Sequence, residues 1–250
     1  MIVTSVNNEY IKGLCKLKDK KYRDSTNLFL IEGEHLVNEA INEDLVKELV
    51  ILEGCSFEYA DKYADNITYV NENVMKKLSS MDSYPNIIGI AYKRKEDKIG
   101  SRVLVLEDIQ DPGNLGTIVR TAEGAGVTGI IMNRETVDIY NPKVIRSTMG
   151  AIFRVPFVIA DSLPEVIFQL KQNGVSVYAG HLKGDVFYKQ DYRDGSAFLI
   201  GNEGNGLTDE ITALADHKIK IPMKGKVESL NAAVSATILM YETMRQREFM

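Results

Sequence analysis

Over the first 92 residues the apolar positions switch repeatedly between a helical and a strand-like spacing. The stretches "YIKGLCKLKD", "EHLVNEAIN" and "ENVMKKLSS" place apolar residues three and four apart, whereas "LFLIEG", "KELVIL", "NITYV" and "NIIGIAY" are short, compact apolar runs. Such alternation predicts a small α/β domain over residues 1–92. Residues 93–101, "KRKEDKIGS", carry charge without an apolar period and end in Gly-Ser, the composition of a linker. From Arg102 to the end the pattern resumes with "VLVLEDI", "NLGTIVRTAEGAG", "GIIM", "LPEVIFQLKQNG", "VSVYAG", "AFLIGNEGNG", "KIKIP" and a long final helix. Unbroken apolar strand runs predict a mostly parallel sheet, hence a second α/β domain over 102–250. In the final helix, Ser229 is the expected N-cap, ahead of the periodic apolar residues Leu230, Val234, Ile238 and Tyr241.

A chain of 250 residues with 44% apolar content can bury a real core in each part, and 26% charged residues is ordinary for a soluble protein. The formal net charge of -5 argues against non-specific coating of nucleic acid. Its distribution is uneven. Between Lys12 and Arg23 stand Lys12, Lys16, Lys18, Lys20, Lys21 and Arg23 against the single acid Asp19: either a solvated face or a phosphate-binding patch. The two cysteines, Cys15 and Cys55, form neither a CxxC pair nor a Cys/His cluster, so neither a disulfide framework nor a metal site is expected. No leader-like start and no membrane-length apolar run is visible, so a cytoplasmic protein is expected.

"GAGVTG", residues 124–129, fits the dinucleotide pattern GxGxxG, but it follows a helix and precedes a strand. The pattern binds pyrophosphate in the opposite context, so these glycines are expected in a helix C-cap and a tight turn. This weighs against a nicotinamide-dependent oxidoreductase. GxxxxGK[ST], HExxH and GxSxG are absent, and His35, His181 and His217 are isolated, which leaves a His-centred triad little to build on.

Three other stretches combine strand ends with polar and glycine-rich loops. "DIQDPGNLGTIVRTAEGAG" places Asp108, Asp111, Pro112, Gly113, Asn114 and Gly116 before a helix carrying Arg120. "FLIGNEGNGL" sets Glu203 among Gly201, Gly204 and Gly206, and "IPMKGKVESLNAAVSA" carries Ser229 and Asn231 into the last helix. Crevices outside the carboxyl ends of parallel strands are where α/β proteins hold ligands, so the three loops form one candidate site.

In that order and spacing, the three stretches resemble the motifs of the SpoU/TrmH family of RNA ribose 2′-O-methyltransferases, within the SPOUT superfamily. The N-terminal "SVNNEYIKGLCKLKDKKYRDSTNLFLIEGEHLVNEA" resembles the small substrate-binding domain that precedes the catalytic domain in many members. The resemblance implies a SPOUT domain with a C-terminal trefoil knot, S-adenosylmethionine as cofactor, no metal, and a homodimer acting on RNA, ribosomal RNA ahead of transfer RNA. By the same resemblance, Gly180, Ile200, Gly201, Asn202, Glu203, Gly206, Ile221, Met223 and Leu230 hold the methyl donor. Arg120, Asn114, Glu203, Ser229 and Asn231 match the catalytic positions, and Lys12, Lys16, Lys18, Lys20, Lys21 and Arg23 are the expected RNA contacts.

These residue types suit the reaction. Methyl transfer to a ribose hydroxyl needs an aligned oxygen nucleophile, stabilised as its proton leaves. A guanidinium effectively does not deprotonate in proteins, so Arg120 is assigned to electrostatic activation rather than to general base catalysis. The proton then passes to RNA phosphate, to water or to Glu203. The rival from another class is a non-catalytic RNA-binding protein in ribosome assembly, against which the presence of Arg120, Glu203, Ser229 and Asn231 together speaks.

Overall fold

A computed structural model describes residues 2–95, 98–227 and 229–248; Glu96 and Asp97 of the expected linker lie outside the described residues. In chain order the first elements are β1 (Ile2–Val3), α1 (Glu9–Lys16), α2 (Lys20–Thr26), β2 (Leu28–Glu32), α3 (Glu34–Asn42), β3 (Val46–Leu52), β4 (Ile67–Val70), α4 (Glu72–Leu78) and β5 (Ile87–Tyr92). There follow β6 (Arg102–Leu106), α5 (Pro112–Gly124), β7 (Gly129–Asn133), α6 (Pro142–Thr148), β8 (Phe157–Ala160) and α7 (Leu163–Gln172). The chain closes with β9 (Ser176–Val186), β10 (Ser196–Ile200), α8 (Asp209–Ala213), β11 (His217–Lys220) and α9 (Ala232–Glu248). They fall into two compact units, Met1–Lys95 with Tyr140–Phe153, and Glu96–Ile139 with Arg154–Met250.

The first unit is a mixed sheet in the order β1-β4-β3-β5-β2, with β5 antiparallel to both β2 and β3. Ile11 and Leu14 of α1 and Val74 and Met75 of α4 pack on Val50, Val70, Ile88 and Ile90 of the sheet. Residues 140–153, far along the chain, belong to this unit because their side chains complete its core. The Tyr140 ring lies 4.7 Å from that of Phe29, the Arg94 amide donates to the Tyr140 hydroxyl at 3.1 Å, and Ile152 and Phe153 are buried. α6, which the apolar pattern did not predict, carries Arg146, whose Nη1 donates to Ser80 Oγ at 2.7 Å.

One expected RNA contact is ruled out as a surface group. Arg23 is only 4% exposed and donates to the carbonyls of Leu17 and Lys18 at 2.9 and 2.8 Å, fixing the turn between α1 and α2. Lys18 donates to the carbonyls of Lys77 and Ser79, which end α4, while Lys12 pairs with Glu9 and Lys20 with Asp24.

The second unit is a parallel six-stranded sheet in the order β11-β9-β10-β6-β7-β8. One face buries Val103, Val105, Ile131, Val177 and Leu199 against Leu163, Ile167 and Leu170 of α7. β8, at the far edge, is a second element the sequence pattern did not reveal. "GAGVTG" closes α5 and opens β7, with Gly126 at φ +65°, in keeping with the expected turn.

α9 differs from expectation in two ways. Its cap is Asn231, whose Oδ1 accepts from the Ala233 and Val234 amides at 2.9 and 3.3 Å, and Ser229 makes no hydrogen bond among the described residues. The face it buries holds Ala232, Ala233, Ala236, Leu239, Met240 and Thr243, and it packs on α5. Val234 and Tyr241 are 46% and 48% exposed.

Candidate active site

The loops after β6, β10 and β11 leave the same, carboxyl edge of the parallel sheet. α5 begins there because Asp111 caps it, its Oδ1 accepting from the Asn114 amide at 2.9 Å, and because Pro112 fills the first helical position. Glu203 of the second loop closes on the same helix start. Its Oε2 accepts from the Gln110 amide at 3.1 Å, and its Oε1 from the Asp111 amide at 3.1 Å and from Asn114 Nδ2 at 2.9 Å. Burial alone would raise this carboxyl, but the hydrogen bonds from Asn114, Gln110 and Asp111 outweigh it and hold the pKa below the ordinary glutamate value. Glu203 is therefore an ionised latch between two loops.

Asn114 and Asn231 complete a directed chain. A carboxylate only accepts, so Asn114 must turn its amide nitrogen to Glu203 and its oxygen away. That oxygen accepts from Asn231 Nδ2 at 2.9 Å, and Asn231 Oδ1 in turn takes the first amides of α9. The carboxylate at one end and the helix amides at the other dictate the same orientation for both side chains. Each amide nitrogen keeps one further N–H, so the two asparagines together offer donors and no free carbonyl.

The second loop is pinned from below. Asn202 donates to the Asp108 carbonyl at 2.8 Å and accepts from the Gly204 and Asn205 amides at 2.9 and 3.0 Å, while Asn202 and Gly206 exchange backbone hydrogen bonds. A Cβ on Gly201 would lie 2.2 Å from the Gly206 carbonyl carbon, so only glycine lets the loop fold back this tightly. Sequence reasoning missed several supports. Asp108 sits at φ +56° with its carboxylate bonded to Asn133 Nδ2 and its amide bonded to Asn133 Oδ1 at 3.0 Å, and buried Glu107 accepts from the Thr208 amide and hydroxyl at 2.8 and 2.7 Å. Asp108 was visible as one of a polar run, but Asn133 and Thr208 carried no motif signal.

Asn114, Glu203 and Asn231 are thus brought into one network, and Asn202 is tied to its loop. Arg120 lies six residues beyond Asn114, about 9 Å along α5, exposed and without a hydrogen-bond or ion-pair partner among the described residues. Ser229 is likewise exposed, while Ile200 is buried at the end of β10. Gly180 lies in an excursion of β9: Lys218 pairs with Ala179 and Ile219 with Asp185, leaving residues 180–184 outside the ladder. Among the described residues of 222–230, none makes a backbone hydrogen bond, so the groups of Met223 and its neighbours are free for a ligand. That donor set, beside the folded-back Gly201 loop and half-buried Ile221 and Leu230, fits a nucleoside recognised through main-chain groups. Among the described residues no cluster of His, Cys, Asp and Glu could hold a metal ion, and no helix is long and apolar enough to cross a membrane.

Comparison with known proteins places this geometry. The chain is 34% identical over 242 residues to the 23S rRNA (guanosine(2553)-2'-O)-methyltransferase RlmP of Bacillus subtilis, covering 96% of this chain and 97% of that one. Its structure resembles the AdoMet-bound rRNA methyltransferase from Sinorhizobium meliloti, with a TM-score of 0.87, 31% identity and coverage of 100% and 99%. It also resembles the SpoU methyltransferase AviRb from Streptomyces viridochromogenes in complex with AdoMet, with a TM-score of 0.86, 25% identity and coverage of 96% and 98%. Residues 8–89 match the MRM3-like substrate binding domain, and with residues 101–241 matching its model, the chain belongs to the SpoU rRNA methylase family.

Proposed function

We propose that the protein transfers a methyl group from S-adenosylmethionine to a ribose 2′-hydroxyl of RNA, with 23S-type ribosomal RNA as substrate. The observation that carries this reading is the Glu203–Asn114–Asn231 chain, which joins all three motif loops and leaves one N–H of each asparagine amide outside the chain. The full-length likeness to a 23S rRNA methyltransferase supports the substrate class.

Main-chain groups around Gly201, Asn202, Gly206, Ile221 and Met223, together with Gly180, Ile200 and Leu230, would hold S-adenosylmethionine, which when bound would supply an electrophilic methyl group. The protein's own groups act on the acceptor oxygen. Arg120 and the spare N–H groups of Asn114 and Asn231 stabilise negative charge as it develops there. Glu203 is a weak base, because the hydrogen bonds from Asn114, Gln110 and Asp111 stabilise its ionised form. The proton leaves to the RNA phosphate or to water. Ser229, next to the Asn231 cap, contacts the nucleotide rather than the helix.

The first unit, Met1–Lys95 with Tyr140–Phe153, binds the RNA substrate, and the second closes its C-terminal segment as a trefoil knot. The protein acts in the cytoplasm as a homodimer: the open stripe of Val234 and Tyr241 on α9 supports a second copy as its cover. The test is incubation with radiolabelled S-adenosylmethionine and total RNA from a strain lacking the enzyme, followed by nucleoside analysis. Label in a 2′-O-methylnucleoside of 23S rRNA is expected; label in a methylated base alone would overturn the reading.

A further inference from the structure

We infer that Lys218, Lys220, Lys224 and Lys226 form a phosphate track that leads the RNA backbone along β11 into the candidate site; this rests on the RNA methyltransferase reading above. From His217 to Val227 the chain holds these four lysines and no acid. All four are exposed, and none makes an ion pair or a side-chain hydrogen bond among the described residues. Five other cations of the same unit are matched: Lys171 to Asp216, Arg154 to Glu123, Arg134 to Asp161, Arg193 to Asp191 and Arg245 to Glu242. In a chain of net charge -5, a run of lysines without ion-pair partners is a local concentration of positive charge.

The N-terminal cations present the reverse. Arg23 is buried, Lys18 is bonded to carbonyls, and Lys12 and Lys20 are paired, which leaves Lys16 and Lys21. Of the six cations between Lys12 and Arg23, four are therefore already engaged within the fold.

Placement gives the run a direction. Ile219 is buried at 1%, so Lys218 and Lys220 share the outer face of the edge strand, about 6.6 Å apart. Lys224 and Lys226 continue it through the segment that ends at Asn231, the residue bonded to Asn114. Edge-strand lysines also guard against sheet-to-sheet association, but that role ends with the strand and leaves Lys224 and Lys226 unexplained. Lysine is a mobile point charge that neutralises phosphate without reading bases, so the track positions RNA and leaves recognition of sequence and shape to other groups.

The experiment measures binding of a fluorescent single-stranded uridine 20-mer to full-length protein across salt concentrations. Substituting Gln at Lys218, Lys220, Lys224 and Lys226 together should make the log K against log salt slope shallower by about 3, from roughly 0.7 per single-strand phosphate. Gln at Lys12, Lys16, Lys20 and Lys21 should change it by half as much or less. The strand pair K218Q/K220Q should account for a decrease of about 1.4 with melting temperature and S-adenosylmethionine affinity unchanged, which separates charge loss from a disturbed cofactor segment. An unchanged slope in both the fourfold and the strand-pair variants overturns the track. Track-dependent RNA binding by a protein that incorporates no methyl label supports the track and sinks the catalytic reading alone.

Discussion

The side-chain amide of Asn231 donates to the carbonyl oxygen of Asn114 at 2.9 Å, across 117 residues of sequence. Each residue also serves the start of its own helix: Asn231 caps α9, and the Asn114 amide is bonded to the α5 cap, Asp111. Two helix N-termini are thereby coupled through one polar pair, so the pair can be altered without removing the cap.

Asn231→Asp keeps the cap acceptor but sets an oxygen against Asn114 Oδ1. Turnover is expected to fall at least tenfold with a small change in melting temperature, whereas Asn231→Ala should add a stability loss of about 1 kcal/mol for the missing cap. Calorimetric melts beside single-turnover rates separate the two effects. Wild-type turnover in the Asp variant would show that the pair is structural only.

Glu203 has a pH signature whose sign is fixed by its environment. Its folded pKa lies below the ordinary value of about 4.3, so its contribution is present above that range and is lost as pH falls through the lowered folded value. Denaturation curves between pH 3 and 7 should therefore show Glu203→Gln less stable than wild type above about pH 5, with the gap closing in acid. A gap that stays constant across this range would mean that the ionised latch contributes nothing.

Gly201→Ala places a methyl group where Gly206 already stands, 2.2 Å from its carbonyl carbon. The fold-back of residues 201–206 must open to admit it. S-adenosylmethionine affinity, read by titration calorimetry, is expected to drop tenfold or more, and an unaltered Kd would disconnect this loop from the cofactor.

Arg120 makes no bond that the fold depends on among the described residues, so its removal isolates chemistry from stability. Arg120→Ala should lower kcat by about 10²–10³, in the range for loss of one oxyanion donor, while melting temperature and cofactor affinity hold. Turnover within twofold of wild type would take Arg120 out of the mechanism.

The three loops and their helices were legible because glycine, proline and asparagine punctuate strand ends in a way that survives without tertiary context. The buried face of α9 was not. That helix carries two apolar stripes, and the eye follows Leu230, Val234, Ile238 and Tyr241, whereas packing on α5 selects the alanines. Arg23 read as a surface cation because nothing local shows that the Leu17 and Lys18 carbonyls converge on it. α6 had a usable signal, Asn141 as cap before Pro142, but it is only seven residues long and its neighbours form a short apolar run that also hides β8. The Asp108–Asn133 and Glu107–Thr208 bonds join residues 25 and 101 positions apart, a separation that single-sequence patterns do not encode.

Because Tyr140–Phe153 belongs to the first unit, the polypeptide passes from one unit to the other three times rather than once. A gene fragment ending at residue 95 would make a first unit whose Phe29 has lost both Tyr140 and Phe153 and whose Ser80 has lost Arg146. Neither half can be cut out and grafted as a single continuous piece. The two units are in this way inherited together, and recombination that swaps one of them among relatives has to carry a second, internal crossover with it.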